Sequence, residues 1–271
     1  MKDVNIGFIG GGNMARSLIG GLLADGYAPE RLHVADPDAD HVAALERDYG
    51  VNAGSDNQAV VDRCQVVVLS VKPQVMKAAT TALNAPPGVL FVSIAAGIRS
   101  ADLDRWLGGE AAIVRTMPNT PALVQSGATA LYANARVEPG QRDVAESILR
   151  AVGLTLWLED ESLMDAVTAL SGSGPAYFFL VMEAMERAGR ELGLPGETAR
   201  LLTLQTAFGA AKMALESQAD SAELRQRVTS PGGTTERALQ VLTDGELEAL
   251  FARALTAARD RAVELAEQLG Q

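Results

Sequence analysis

Six residues near the start of the chain, Gly10-Gly11-Gly12-Asn13-Met14-Ala15, restrict its fold more than any others. They follow a short apolar run, Val4–Ile9. They open a stretch, Met14–Ala24, in which Leu18, Leu22 and Leu23 share one side of a helix. Strand, glycine turn and helix in that order make the first half of a βαβ unit. In the pattern G-x-G-x-x-A the first glycine permits the tight turn and the second lets a pyrophosphate approach the backbone. The small Ala15 lets helix and strand pack closely. Free N–H groups and the positive end of the helix dipole then face the phosphates. Glycines also mark ordinary turns, so the placement carries the reading of dinucleotide binding. It puts Ile9, Gly10, Gly11, Gly12, Asn13 and Met14 against the cofactor.

The pattern continues through the first half. Leu32–Ala35, Val66–Val71, Leu90–Ile94, Ala112–Thr116, Thr129–Tyr132 and Thr155–Trp157 read as strands. The β-branched run at Val66–Val71 suits a strand buried on both faces. Between them, Asp40–Tyr49, Val75–Leu83, Ser100–Trp106 and Gln141–Ala151 read as helices. Alternation of this kind predicts a doubly wound, Rossmann-type α/β sheet over residues 1–161.

After about Glu161 no strand is predicted. Ser171-Gly172-Ser173-Gly174-Pro175 reads as a turn with Pro175 opening a helix. Helices follow at Tyr177–Leu192 and Glu197–Glu216, a short one is capped by Asp220 with Glu223, and a segment opens at Ser230-Pro231. Gly245 separates that segment from a final helix at Leu247–Leu269. Residues 162–271 are thus expected to be all-helical. Long helices with apolar faces on so small a domain need a partner subunit to complete their burial, so an oligomer is expected.

Composition narrows the function. The net charge is -11, which removes the basic footprint that nucleic-acid binding needs. The single cysteine, Cys64, rules out an internal disulfide and a cysteine-cluster metal site, so no metal is expected. It fits a reducing compartment. Met1-Lys2-Asp3-Val4 does not begin a signal peptide. No apolar run reaches the ~18 residues that a membrane span needs. A cytoplasmic protein without membrane contact is expected.

Candidate chemistry sits at strand ends. The second strand ends Ala35-Asp36-Pro37-Asp38. A carboxylate there accepts from ribose hydroxyls and disfavours a 2′-phosphate, pointing to NAD. Alternatively, Asp36 or Asp38 caps the next helix. His33 and His41 lie away from strand C-termini, so neither is a favoured acid or base. The G-x-S-x-G and H-E-x-x-H patterns are absent. Ser70-Val71-Lys72-Pro73, Ala95-Ala96-Gly97 and Met117-Pro118-Asn119-Thr120-Pro121 offer small or proline-restricted backbone, as a surface against a flat nicotinamide requires. Ser230-Pro231-Gly232-Gly233-Thr234-Thr235 puts glycines and hydroxyls at a helix start, a second anion-binding candidate.

These segments, with Leu170-Ser171-Gly172-Ser173-Gly174-Pro175-Ala176-Tyr177 and Val228–Thr235, run in order along the chain and resemble the pyrroline-5-carboxylate reductases. The resemblance implies hydride transfer from NADPH or NADH to the C=N carbon of 1-pyrroline-5-carboxylate, giving L-proline in the last step of proline biosynthesis. It implies a helical domain that forms a homodimer, assembled into rings of dimers in many members. Members mostly use NADPH, and Asp36 tolerates NADH. By position, Ser230, Gly233, Thr234 and Thr235 would bind the substrate carboxylate from the partner subunit. Asn119 would contact substrate, and the Thr235 hydroxyl would bond the ring nitrogen as the catalytic group. Asp36, Asn57 (just before a helix), Ser70, Val71, Lys72, Pro73, Ala95, Ala96 and Gly97 would line the cofactor. The related β-hydroxyacid dehydrogenases carry a catalytic lysine on the helix matching Tyr177–Arg190, which has none here.

Overall fold

The computed structural model describes residues 3–271. Met1 and Lys2, part of the start read as lacking a leader, lie outside the described residues. The chain forms two compact units, residues 1–173 with 257–271, and residues 174–256.

The first unit is built on one eight-stranded sheet. Its strands are β1 (Ile6–Ile9), β2 (Leu32–Ala35), β3 (Asn52–Gly54), β4 (Val66–Leu69), β5 (Leu90–Ser93), β6 (Ala112–Met117), β7 (Gly127–Ala133) and β8 (Gly153–Trp157). Their order is β3-β2-β1-β4-β5-β6-β7-β8. The pairings are parallel except for β6 with β7. Helices α1 (Asn13–Ala24), α2 (Ala39–Tyr49), α3 (Asn57–Arg63), α4 (Pro73–Thr81), α5 (Ser100–Trp106) and α6 (Pro139–Arg150) connect the strands.

Alternation along the strands explains the two layers. Phe8, Val68, Val92 and Val114 join one core with Leu18 and Ile19 of α1, Leu45 of α2 and Ile148 of α6. Their neighbours Ile9, Leu69, Phe91 and Ile113 join another with Val61 of α3, Met76 of α4 and Leu103 of α5. Strands buried on both faces therefore read as unbroken apolar runs. Cys64 lies in the second core, where burial pushes its thiol up to about 12, so it stays protonated. Local chemistry starts the helices. Asp38 and Asp56 cap α2 and α3 through their Oδ1 atoms. Pro73 and Pro139 take the first position of α4 and α6, where the missing N–H costs nothing.

Two expectations are corrected. The strand β3 was absent from the sequence reading. It is an edge strand whose Asn52 and Gly54 carry no apolar alternation, and it is held by backbone pairing to β2 and by the Asn52 amide on Glu30 O and Leu32 O. The stretch around Ser171–Gly172 is not a simple turn. Thr168–Gly172 forms a π-helical turn after α7 (Met164–Val167) and runs on toward α8 (Gly174–Glu191).

The compact units divide after Ser173, and a buried ion pair lies where the two expected domains meet in sequence, at residue 161. Arg115 of β6, 4% exposed, places its guanidinium 3.0 Å from Glu161 Oε1 and 3.8 Å from Asp165 Oδ1. Ser100 donates to the same Glu161 through its N–H at 2.7 Å and its hydroxyl at 2.5 Å. The chain after 160 is thereby tied to the sheet. The far end of the chain returns to this unit as well. Lys77 Nζ donates to Gln271 O at 2.7 Å, and Arg105 donates to Gly270 O.

The second unit contains α8, α9 (Gly196–Glu216), α10 (Ser221–Arg227), α11 (Thr234–Asp244) and the start of α12 (Leu247–Leu269). It buries little by itself. Phe178, Phe179, Leu201, Leu202, Phe208 and Met213 are each more than half exposed. Apolar surface on this scale marks a face that another chain covers. Among the described residues no helix is long and apolar enough to cross a membrane.

Glu161→Ala leaves the buried Arg115 charge without its main partner. It is expected to cost about 3 kcal/mol of stability, read as a lower urea midpoint, while Arg115→Met with Glu161→Ala recovers part of the loss.

Candidate active site

The ends of β1, β2 and β4 meet at the glycine turn. Gly10 has φ +100, a conformation that side chains disfavour, and a Cβ there would sit 2.8 Å from Ser70 O. The Gly10 N–H donates to Ala35 O at 2.8 Å. Ser70 N–H donates to Ile9 O at 2.9 Å, and the Ser70 hydroxyl reaches Ile9 O at 3.0 Å and Gly10 O at 2.7 Å. The turn is therefore held from both sides of β1, at the point where strand order reverses. Open α/β sheets bind ligands there.

Past the turn, Gly12 faces open space and begins α1 without a side-chain cap, and the first turn of α1 holds no acidic residue. The first N–H groups of the helix have no intrahelical acceptor. A pyrophosphate fits this end, since it satisfies the N–H groups and meets the favourable end of the dipole. Ala15 is fully buried against the core, as close helix–strand packing demands. Asn13 and Met14 lead the same helix.

Asp36 is buried and turned toward the glycines. Its Oδ2 accepts from Gly11 N–H at 2.7 Å and its Oδ1 from Asp38 N–H at 2.9 Å. The two readings of Ala35-Asp36-Pro37-Asp38 thus separate. Asp38 caps α2, and Asp36 braces the turn. His41, set aside on the sequence because it lies off a strand end, places Nδ1 3.4 Å from Asp36 Oδ1. The first turn of α2 carries it there, a proximity that the five-residue spacing alone did not announce.

The remaining candidates of this unit also line strand ends. Lys72 is exposed at the start of α4, with Val71 before it and Pro73 after it. Asn57 is the first residue of α3, just after β3. After β5, Ala95 N–H donates to Ser93 Oγ at 3.3 Å, Ala96 follows, and Gly97 turns with φ +73. Asn119, after β6, is engaged at both ends of its amide. Its Oδ1 accepts from Ala128 N–H at 2.9 Å, and its Nδ2 lies 3.2 Å from Ser171 O and 3.4 Å from Ser171 Oγ.

Within the second unit, Ser230 O accepts from Gly233 N–H at 3.0 Å, closing the turn. Gly232 N–H is taken by Glu236 Oε2 at 2.8 Å. Gly233 precedes α11 without a side-chain cap. The first-turn N–H groups of Thr234 and Thr235 are then those left for an anion. Ser230, Thr234 and Thr235 are all exposed. Among the described residues no group of three or more His, Cys, Asp or Glu side chains is placed to hold a metal ion.

Comparison with known proteins gives a consistent result. The family model described as pyrroline-5-carboxylate reductase dimerisation matches residues 161–265. One described as NADP oxidoreductase, coenzyme F420-dependent, matches residues 5–97. The pyrroline-5-carboxylate reductase of Pseudomonas aeruginosa is 55% identical over 274 residues, covering 100% of both chains. A solved pyrroline-5-carboxylate reductase structure from Coxiella burnetii is 49% identical with a TM-score of 0.93, covering 97% of this chain and 98% of that one. The Plasmodium falciparum pyrroline carboxylate reductase, solved with NADP bound, is 29% identical with a TM-score of 0.86, covering 98% and 99%.

Gly10→Ala forces a side chain into the left-handed region and against Ser70. Roughly tenfold or weaker NAD+ binding is expected by calorimetry, from about 1–2 kcal/mol of backbone strain, with the circular dichroism of the fold kept. Asn119→Asp retains an acceptor for Ala128 but sets a carboxylate against Ser171 O. It is expected to lower stability by about 1–3 kcal/mol, measured by urea unfolding.

Proposed function

The chain belongs to the pyrroline-5-carboxylate reductase family, and from that premise we infer that it reduces 1-pyrroline-5-carboxylate to L-proline with NAD(P)H, the last step of proline biosynthesis. The observation that carries this reading is a glycine turn with an uncapped helix start at the strand-order reversal of a Rossmann sheet. It occurs in a chain that also carries the Ser230–Thr235 helix start.

When bound, NAD(P)H would supply the hydride that the C=N carbon takes up, while the ring nitrogen would gain its proton from water. The protein's own groups hold and orient. Ile9 to Met14 hold the pyrophosphate, and Asp36 and Asn57 take the adenosine half. Ser70 to Pro73 and Ala95 to Gly97 form the small-residue wall along the nicotinamide half. Ser230, Gly233 and the N–H groups of Thr234 and Thr235 hold the substrate carboxylate. The Thr235 hydroxyl orients the ring nitrogen and passes it a proton from water. Asn119 shapes the substrate side through the strand-end loop that it ties down. No strong acid is required, because positioning of the two carbons supplies most of the rate.

The oligomer is a homodimer, extended to a ring of dimers. Residues 1–161 are the dinucleotide domain, and 162–271 are the dimerisation and substrate domain. The exposed apolar residues of α8 and α9 support burial by a second copy, and the Ser230–Thr235 loop of each subunit serves its partner. A cytoplasmic location agrees with a single, reduced cysteine.

Purified protein with 1-pyrroline-5-carboxylate is expected to oxidise NADH or NADPH, followed by loss of the reduced-nicotinamide absorbance. No turnover with either cofactor, while binding persists, would leave only a nucleotide-sensing role. Thr235→Val is expected to lower kcat by roughly tenfold or more, with the KM for the cofactor unchanged. Unaltered turnover would remove Thr235 from the chemistry.

A further inference from the structure

We infer that the end of α12 sets the position of the small-residue wall on the nicotinamide side, with Leu269 and Lys77 as positioning residues. This rests on the reading of Ser70–Pro73 and Ala95–Gly97 as that wall. Gly97 turns with φ +73, and a Cβ there would lie 3.4 Å from Leu269 Cδ1 and 3.7 Å from both Ala266 N and Leu265 Cβ. The loop after β5 is thus seated directly on the last turns of α12. Ala95 and Ile98 of this loop are buried, as are Ala262 and Ala266 of the helix. Leu269 packs against the same core that holds Ala95 and Ile98.

The helix end is itself held by the two helices that follow the wall segments. Lys77 of α4, one turn past Pro73, donates from Nζ to Gln271 O at 2.7 Å. Arg105 of α5 donates to Gly270 O and pairs with Asp102 at 2.9 Å. A Cβ on Gly270 would sit 2.5 Å from Asp102 Oδ2, so backbone and carboxylate meet where only a glycine fits. Leu269, Gly270 and Gln271 therefore touch the Gly97 loop, α5 and α4 in turn. Alanine and glycine have no side chains long enough to fix a flat ring from the front, so the wall takes its position from what lies behind it. Position matters there, because a misplacement of about 1 Å between reacting groups lowers a rate by up to roughly 100-fold.

Three measurements on the full chain test this: hydrogen exchange without ligand, paired calorimetric titrations, and kcat with 1-pyrroline-5-carboxylate. The pairs are NAD+ against ADP-ribose and NADP+ against 2′-phospho-ADP-ribose, which differ only in the nicotinamide. Leu269→Ala is expected to speed exchange across residues 95–98 while β1 and β4 stay protected. Affinity for the ligand without nicotinamide should be kept. The advantage of the nicotinamide-bearing ligand should fall roughly threefold, and kcat roughly fivefold. Leu269→Met, which refills the space, should restore both. Lys77→Met alters an exposed side chain and releases Gln271, and the same pattern is expected at about twofold in kcat. Equal loss of both members of a pair would mark a general structural role and overturn the inference. So would unaltered exchange and kcat in Leu269→Ala and Lys77→Met. Lys77→Met decides the matter if Leu269→Ala fails to fold. Binding of no nucleotide by the unaltered protein would instead overturn the dinucleotide site, while exchange would still report whether the Gly97 loop rests on α12.

Discussion

Gly10 is held in a conformation that only glycine adopts readily, with its N–H on Ala35 O and its carbonyl against Ser70. The rest of the first unit is arranged around this constraint. The turn leads into α1, which packs on one face of the sheet through Leu18 and Ile19. It also brings the ends of β1, β2 and β4 close enough for Gly11 to donate to Asp36 and for Ser70 to donate to Ile9 and Gly10. A dinucleotide site of this kind is made almost wholly of backbone. The side chains of Asp36 and Ser70 brace the turn.

A second constraint lies at the other end of the sheet. Arg115 is buried beside Glu161, and Ser100 donates to the same carboxylate. Removing a charge from water is unfavourable unless partners replace the hydration. The fold supplies those partners from α5 and from the chain after residue 160. Asn119 acts in the same region, joining the loop after β6 to β7 and to the π-helical turn.

Much of this was legible in the residues. Strands β1, β4 and β5 announce themselves as apolar runs because they are buried on both faces. Helices α2 and α6 are legible as helical runs, while their caps, at Asp38 and at Glu138 with Gln141, are assigned by the structure. The edge strand β3 was not legible, because an edge strand can be held by backbone bonds that leave no side-chain pattern. The π-helical turn at Thr168–Gly172 looked like a glycine-rich turn, since hydrogen-bond register is not written in composition. The roles of Asp36 and Asp38 were open for a similar reason. Both are carboxylates near a helix start, and only side-chain direction separates a cap from a brace.

By itself, the sequence determined the layered fold, the glycine turn between β1 and α1 and the change from alternating to helical architecture. Each of these depends on local spacing: glycines where φ must be positive, apolar residues at period two or 3.6. Tertiary structure alone decided which polar atoms are already engaged. Asp36 lies against Gly11 and His41, Asn119 spends its amide on Ala128 and Ser171, and Glu161 answers Arg115 from 46 positions away. These partners are distant in the chain and meet only because the sheet brings their elements together. Long-range hydrogen bonding has no period for a sequence to display. The glycine turn could therefore be read in advance, and the carboxylate that braces it could be assigned only once the strands were in place.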